Sequence, residues 1–151
     1  MTDNTTLLET LRTHMKQAWK SGDNERRDTL RLVIAAVDYA RIANKEALND
    51  SQVTQVIQKE AKQRKESIDE FTKGNRQDLV AKEELELSII SEYLPEELTE
   101  IELTRIIKDV IHETNAVSIS DVGIVMKTLM PKLDGRADGK QANILVRELL
   151  S

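Results

Sequence analysis

Residues 118–150, SISDVGIVMKTLMPKLDGRADGKQANILVRELL, decide the fold. Val122, Val125, Met126, Leu129 and Met130 recur at i, i+3, i+4, i+7 and i+8, which is one apolar face of a helix. Ser118 with Asp121 reads as a capping box, and Val117 with Val122 as its hydrophobic staple. Pro131 weakens the following turn, so Leu133-Asp134-Gly135-Arg136-Ala137 reads as a connector. Asp138 is then an N-cap with Gln141 three residues on, and Ala142, Leu145, Val146, Leu149 and Leu150 form a second apolar face. The stretch is a helical hairpin. Its turn, GRADGK, sets Arg136 and Lys140 beside a helix N-terminus whose orphan N–H groups attract anions. A plain capped surface turn explains the same residue types, and both readings stand at this point.

Upstream of the hairpin, Thr99 with Glu102 is a capping box and Leu98 with Leu103 its staple. The helix that follows buries Leu103, Ile106, Ile107, Val110 and Ile111 and ends near Thr114-Asn115. Tyr93-Leu94-Pro95 stops the helix before it, because the residue preceding proline disfavours helical ψ. The domains are therefore 1–94 and 95–151. The second has only a small core of three short helices.

The first domain reads as about four helices. Leu7, Leu8, Leu11, Met15, Ala18 and Trp19 form one face, and Gly22 ends the helix; Arg12, Lys16 and Lys20 form a column on another side. Asp23 caps a second helix to about Asn44, with Leu30, Val33, Ile34, Val37 and Ala40 inward. Arg26, Arg27 and Arg31 crowd its first turns, where the helix dipole disfavours cations, so pairing with acids comes first as their explanation. Asn49 with Gln52 starts a third helix, running to about Lys73, with Val53, Val56, Ile57, Ala61, Ile68 and Phe71 inward. Its middle, KEAKQRKES, holds Lys59, Lys62, Arg64 and Lys65, the densest basic run in the chain. Glu60, Glu66, Asp69 and Glu70 stand within one or two turns and can neutralise it. Gly74 ends this helix and Asn75 caps the next, which runs from Arg76 to about Tyr93. Leu79, Leu85, Ile89, Ile90 and Leu94 are its apolar residues, and Lys82-Glu83-Glu84-Leu85-Glu86 reads as a solvated acidic turn. The expected fold is all-α: seven helices and no strands.

Composition narrows the function. The 151 residues are 3% aromatic and 32% charged, with 5 Gly and 2 Pro, which favours helices with wide solvated faces over a sheet. Without Cys there is neither thiol nucleophile nor thiolate metal site. His14 and His112 lack H-x-x-x-H spacing, and no calcium loop, phosphate-binding P-loop or nucleophile elbow occurs. No catalytic constellation is visible, so no metal and no cofactor is expected, and the chain reads as a binding module. The net charge of −5 argues against a strong sequence-independent nucleic-acid binder and leaves room for a local basic patch. No apolar run approaches a membrane span, and the N-terminus lacks the basic and apolar regions of a secretory signal. The expected location is the cytoplasm, with no membrane partner and no DNA.

Gly123, Val125, Met126, Gly135, Arg136, Ala137, Asp138, Lys140, Asn143 and Leu145 resemble the G-x-V-M helix and the G-R-A-D-x-K-x-x-N-x-L turn of the tail domain in the GatB/YqeY family. Tyr93-Leu94-Pro95 with Leu98, and Lys62-Gln63-Arg64-Lys65-x-Ser67, resemble the free-standing YqeY-like proteins, and the likeness runs essentially end to end. The resemblance implies two helical domains joined near the Tyr-Leu-Pro turn. It also implies kinship with the tail of glutamyl/aspartyl-tRNA amidotransferase, an appendage that contacts tRNA. The family label is carbon–nitrogen ligase with glutamine as amido-N-donor, amidotransferase-like; the residues here point instead to a non-catalytic, tRNA-interacting module. The candidate RNA-binding residues are Arg136, Lys140, Lys132 and Lys127 in the tail and Lys62, Arg64 and Lys65 upstream. The alternative is a protein–protein adaptor that docks on an amidotransferase or an aminoacyl-tRNA synthetase.

Overall fold

The computed structural model describes residues 5–151; residues 1–4, the start of the segment read above for a secretory signal, lie outside the described residues. Seven α-helices follow one another, with no strand among the described residues. They are α1 (Leu7–Ser21), α2 (Asn24–Asn44), α3 (Asp50–Lys73), α4 (Gln77–Ser91), α5 (Glu100–Thr114), α6 (Val122–Leu133) and α7 (Gly139–Leu150). The fold is all-α. The chain divides into two compact units, Met1–Leu94 and Pro95–Ser151.

In the first unit the helix starts are set by side-chain chemistry. Glu9 N–H donates to Thr6 Oγ1 and Thr6 N–H to Glu9 Oε2, each at 3.1 Å, a complete capping box. Asn49 and Gln52 make the same exchange at 2.8 and 2.9 Å. Asp50 also accepts Leu7 N–H at 2.9 Å, which ties the start of α1 to the start of α3. Gly22, at φ 79, takes the left-handed turn that separates α1 from α2, a conformation that costs glycine little. α1 pairs with α2 and α3 with α4, and α2 also touches both α3 and α4. Leu11, Leu30, Val33, Val37, Val53, Ile57, Ala61, Ile89 and Ile90 form the core.

Four expectations for this unit are corrected. Trp19 is 66% exposed: the chain reverses at Gly22, and Ala18 takes the inward position one residue earlier. Asn75 does not cap α4. It is the left-handed residue (φ 56) that ends α3, while Arg76 takes the N-cap position and holds Asp78 at 3.2 and 3.1 Å. Asparagine tolerates that backbone better than most residues. Among the apolar residues of α4, Leu85 is exposed, whereas Val80 is buried. Glu86, read as solvated, lies on the inward side with its side chain 15% exposed, because Arg64 of α3 reaches it.

The second unit packs α5, α6 and α7 around Leu103, Ile107, Val110, Val122, Val125, Leu129, Leu133, Ala142, Val146 and Leu150. Thr99 and Glu102 exchange the two bonds of a capping box at 3.2 and 3.0 Å. Asn115, left-handed at φ 55, ends α5. A 3-10 turn, Ile119–Asp121, precedes α6. Asp121 accepts the N–H groups of Val117 and Ser118 at 2.9 and 3.2 Å, and these donors hold its carboxyl below the usual carboxylate range. The Val117–Val122 staple does not form: Val117 is 84% exposed. Leu133 is not part of a connector. α6 passes through Pro131 and ends at Leu133, which is 1% exposed, while Met130 is left at 42%. Burial of Leu133 outweighs the lost proline N–H, since Pro131 itself faces solvent.

Candidate nucleic-acid interface

The turn between α6 and α7 is built from backbone chemistry. Asp134 and Gly135 are successive left-handed residues, φ 48 and 73, which reverse the chain after Leu133. Arg136 N–H donates to Leu133 O at 2.9 Å and closes the turn. The segment preceding α5 then packs against it. Leu98 N–H donates to Arg136 O at 2.9 Å, and Arg136 Nε donates to Glu96 O at 2.8 Å. Asp138 caps α7 by accepting Lys140 N–H at 3.1 Å. The cap is a single bond to the second helical residue, without the Gln141 half of a box. A Cβ added at Gly139 would stand 3.5 Å from Met130 Cε, so the small residue lets the two helices close.

Four cations of this unit were candidates for RNA contact, and their settings differ. Arg136 is half-buried, with Nε spent on a carbonyl that also fixes the approach to α5. Lys132 Nζ donates to Glu113 across to α5. Lys127 and Lys140 are exposed, and among the described residues neither takes part in an ion pair. Lys127 lies about one turn before Met130 on α6, and Lys140 directly follows Gly139 on α7. Exposed Arg105 and Lys108 on α5 line an open hollow with Ile101, Thr104 and Asp109. This i, i+3 pair lies in neither the GRADGK turn nor the KEAKQRKES run, the two places where candidate cations crowd in the sequence.

The upstream run is not a single surface. Lys62 and Lys65 are exposed, but Arg64 is 8% exposed. Arg64 Nη1 donates to Glu60 Oε2 at 2.6 Å and to Glu60 O at 3.1 Å, and Nε stands 3.4 Å from Glu86 Oε2. A helix repeats every 3.6 residues, so Arg64 points inward where Lys62 and Lys65 point out. The arginines at the start of α2 also find acids. Arg26 Nη1 donates to Glu92 Oε2 at 2.6 Å, and Arg27 Nε to Asp28 Oδ1 at 2.8 Å. Both guanidinium pKa values are pushed up, chiefly by these hydrogen bonds. His14 Nδ1 lies 2.6 Å from the Tyr93 hydroxyl, whose pKa burial raises. Among the described residues no group of three His, Cys, Asp or Glu could hold a metal ion, and no helix is long and apolar enough to cross a membrane.

Arg136→Ala should lower the stability of the second unit by about 1–2 kcal/mol, because Glu96 O loses its donor and the turn loses a clasp. Urea unfolding followed by circular dichroism measures this. Stability equal to the parent's would mean that the clasp does not hold the turn.

A profile of the Yqey-like protein family matches residues 8–150. The chain is 30% identical over 95 residues to an uncharacterized protein of Schizosaccharomyces pombe, covering 63% of this chain and 77% of that one. It is 29% identical over 147 residues to the altered inheritance of mitochondria protein 41, mitochondrial, of Pyrenophora tritici-repentis, covering 95% of this chain and 81% of that protein. The protein of that name from Lachancea thermotolerans is 36% identical over 85 residues, 56% of this chain and 46% of the relative. With the family profile spanning both helical units, the chain belongs to the YqeY-like protein family.

Proposed function

We propose that the protein is a non-catalytic module that binds tRNA through the α6–α7 turn of its second unit. One observation carries the reading. The turn is clasped by Arg136 to Glu96 and Leu98, exposed Lys140 stands in the first turn of the capped α7, and exposed Lys127 lies on α6; among the described residues neither lysine forms an ion pair. Such an arrangement suits a phosphate, since a helix N-terminus and nearby ammonium groups act on the same anion. Arg136 serves the site by fixing the turn. Lys132, tethered to Glu113, is a secondary contact. In the first unit Lys62 and Lys65 supply an auxiliary cationic edge. The reading applies wherever tRNA is found, in cytoplasm or mitochondrion alike.

The test is tRNA affinity measured over a range of salt concentrations. The parent protein should lose affinity steeply as salt rises, because phosphate contacts release counterions. Lys127→Gln with Lys140→Gln should weaken binding by about 1–3 kcal/mol together and lower the salt slope by roughly one per lost contact. Their melting temperature should stay within a degree or so of the parent's, since both are exposed. Unaltered binding by the double variant would overturn the site. Binding of an amidotransferase or synthetase that ignores salt, with no tRNA binding, would favour the adaptor reading.

A further inference from the structure

We propose that Trp19 is a stacking platform for an unpaired base of RNA, with Lys16, Lys20 and Arg31 meeting the phosphates on either side of that base. The site lies in the first unit and does not depend on the α6–α7 turn. Trp19 is 66% exposed, and Ala18 beside it fills the inward position of α1. The indole thus leaves a large flat apolar ring in water. No other large apolar residue of α1 is exposed among the described residues. An apolar partner helix needs a stripe of such residues, whereas a nucleobase needs one aromatic face.

The charges near the ring point to an anionic ligand. Lys16 stands three residues before Trp19 and Lys20 directly follows it, and both are exposed. Arg12 Nη2 lies 3.3 Å from Asp38 Oδ1, so this side of α1 borders α2. Two helical turns are about seven residues. Trp19 comes seven residues after Arg12, and exposed Arg31 comes seven before Asp38, so the antiparallel register brings both to the Gly22 end of the α1–α2 seam. The acids at this end have other partners. Asp28, one turn from Arg31, stands 2.8 Å from Arg27, and Asp23 stands 3.5 Å from Arg26. Lys16, Lys20 and Arg31 form no ion pair among the described residues. These cations flank one exposed indole on a chain whose net charge is −5. An aromatic face with cations along the strand is how proteins hold unpaired nucleic acid, and RNA loops and ends are where bases stand free to stack. A duplex keeps its bases stacked on one another and gives the ring nothing to cover.

Trp19 is the one tryptophan of the chain, so tryptophan fluorescence reads this site alone. Titration of the full chain with a short single-stranded oligoadenylate should quench the emission, and the affinity should fall as salt rises. Duplex RNA of the same length should quench little. Trp19→Ala should weaken binding of a labelled oligoadenylate about tenfold or more, read by fluorescence anisotropy, while Trp19→Phe, which keeps a ring, should retain most of it. Lys16→Gln, Lys20→Gln and Arg31→Gln together should lower the salt slope by roughly 0.7 per lost phosphate contact. The thermal melt should stay that of the parent throughout, because all four side chains are exposed. Lys127→Gln with Lys140→Gln should leave the quench unchanged, which separates this site from the α6–α7 turn. Absence of a salt-sensitive quench, oligoadenylate affinity untouched by Trp19→Ala, or docking of a protein through Trp19 with no oligoadenylate binding would overturn the proposal.

Discussion

Arg64→Ala should destabilise the first unit by about 3–5 kcal/mol, far more than any other charge removal in the basic run. Arg64 is 8% exposed and its guanidinium lies between Glu60 and Glu86, whose side chains are 17% and 15% exposed. Truncating it leaves two poorly hydrated carboxylates facing each other, with a void where the arginine stem packed. Lys62→Ala, on the outer side of the same helix, should change stability by no more than about 0.5 kcal/mol. The loss comes from stranding the two acids, so removing the whole cluster should behave differently. Glu60→Leu, Arg64→Met and Glu86→Leu together should restore most of the stability, because well-packed apolar replacements escape the desolvation cost of all three charges. Urea unfolding by circular dichroism, with a common slope for all variants, gives these values. An Arg64→Ala effect no larger than that of Lys62→Ala would show that the ion pair is not holding α3 to α4.

Leu133→Ala should cost about 2–5 kcal/mol in the second unit, and Met130→Ala less than about 1 kcal/mol. Leu133 is 1% exposed and continues the line Val122, Val125, Leu129 at i+3, i+7 and i+11. Met130 is 42% exposed and covers Gly139. A three-helix unit has little reserve, so the cavity left at Leu133 should be felt by the whole unit. Hydrogen exchange resolves this by region. In Leu133→Ala the amides of α5, α6 and α7 should exchange faster, and those of the first unit's core should not change. The reverse order of the two variants would mean that the helix end at Pro131 frays in solution.

The points that sequence reading reached and missed divide along a physical line. Thr99 with Glu102 and Asn49 with Gln52 were legible because a capping box depends on two residues three apart and the backbone between them. Gly22 and Asp23 were legible for the same reason, as local conformational preferences. The Ser118–Asp121 start was half legible. Asp121 does take the backbone N–H groups, but whether Val117 packs depends on what stands opposite, and nothing does.

The candidate site shows the same division. The GRADGK turn, its cap at Asp138 and its exposed Lys140 could all be read from adjacent residues. That Arg136 reaches Glu96, forty residues earlier, could not, because the bond depends on where the segment before α5 is laid. Nor could periodicity tell that Arg64 is buried against Glu86 while Lys62 and Lys65 are exposed, since charge alone does not reveal which side of a helix meets another helix.

By itself the sequence determined the all-helical class, most helix ends and most of the two apolar cores, because caps, turn residues and 3.6-residue periodicity act within a few residues of chain. Only the tertiary structure decided that Leu133 goes in and Met130 out, that Glu86 and Arg64 share an interior, and that Arg136 clasps Glu96. Each of those outcomes balances burial or desolvation against a partner distant in sequence, and that partner's position exists only once the helices have packed.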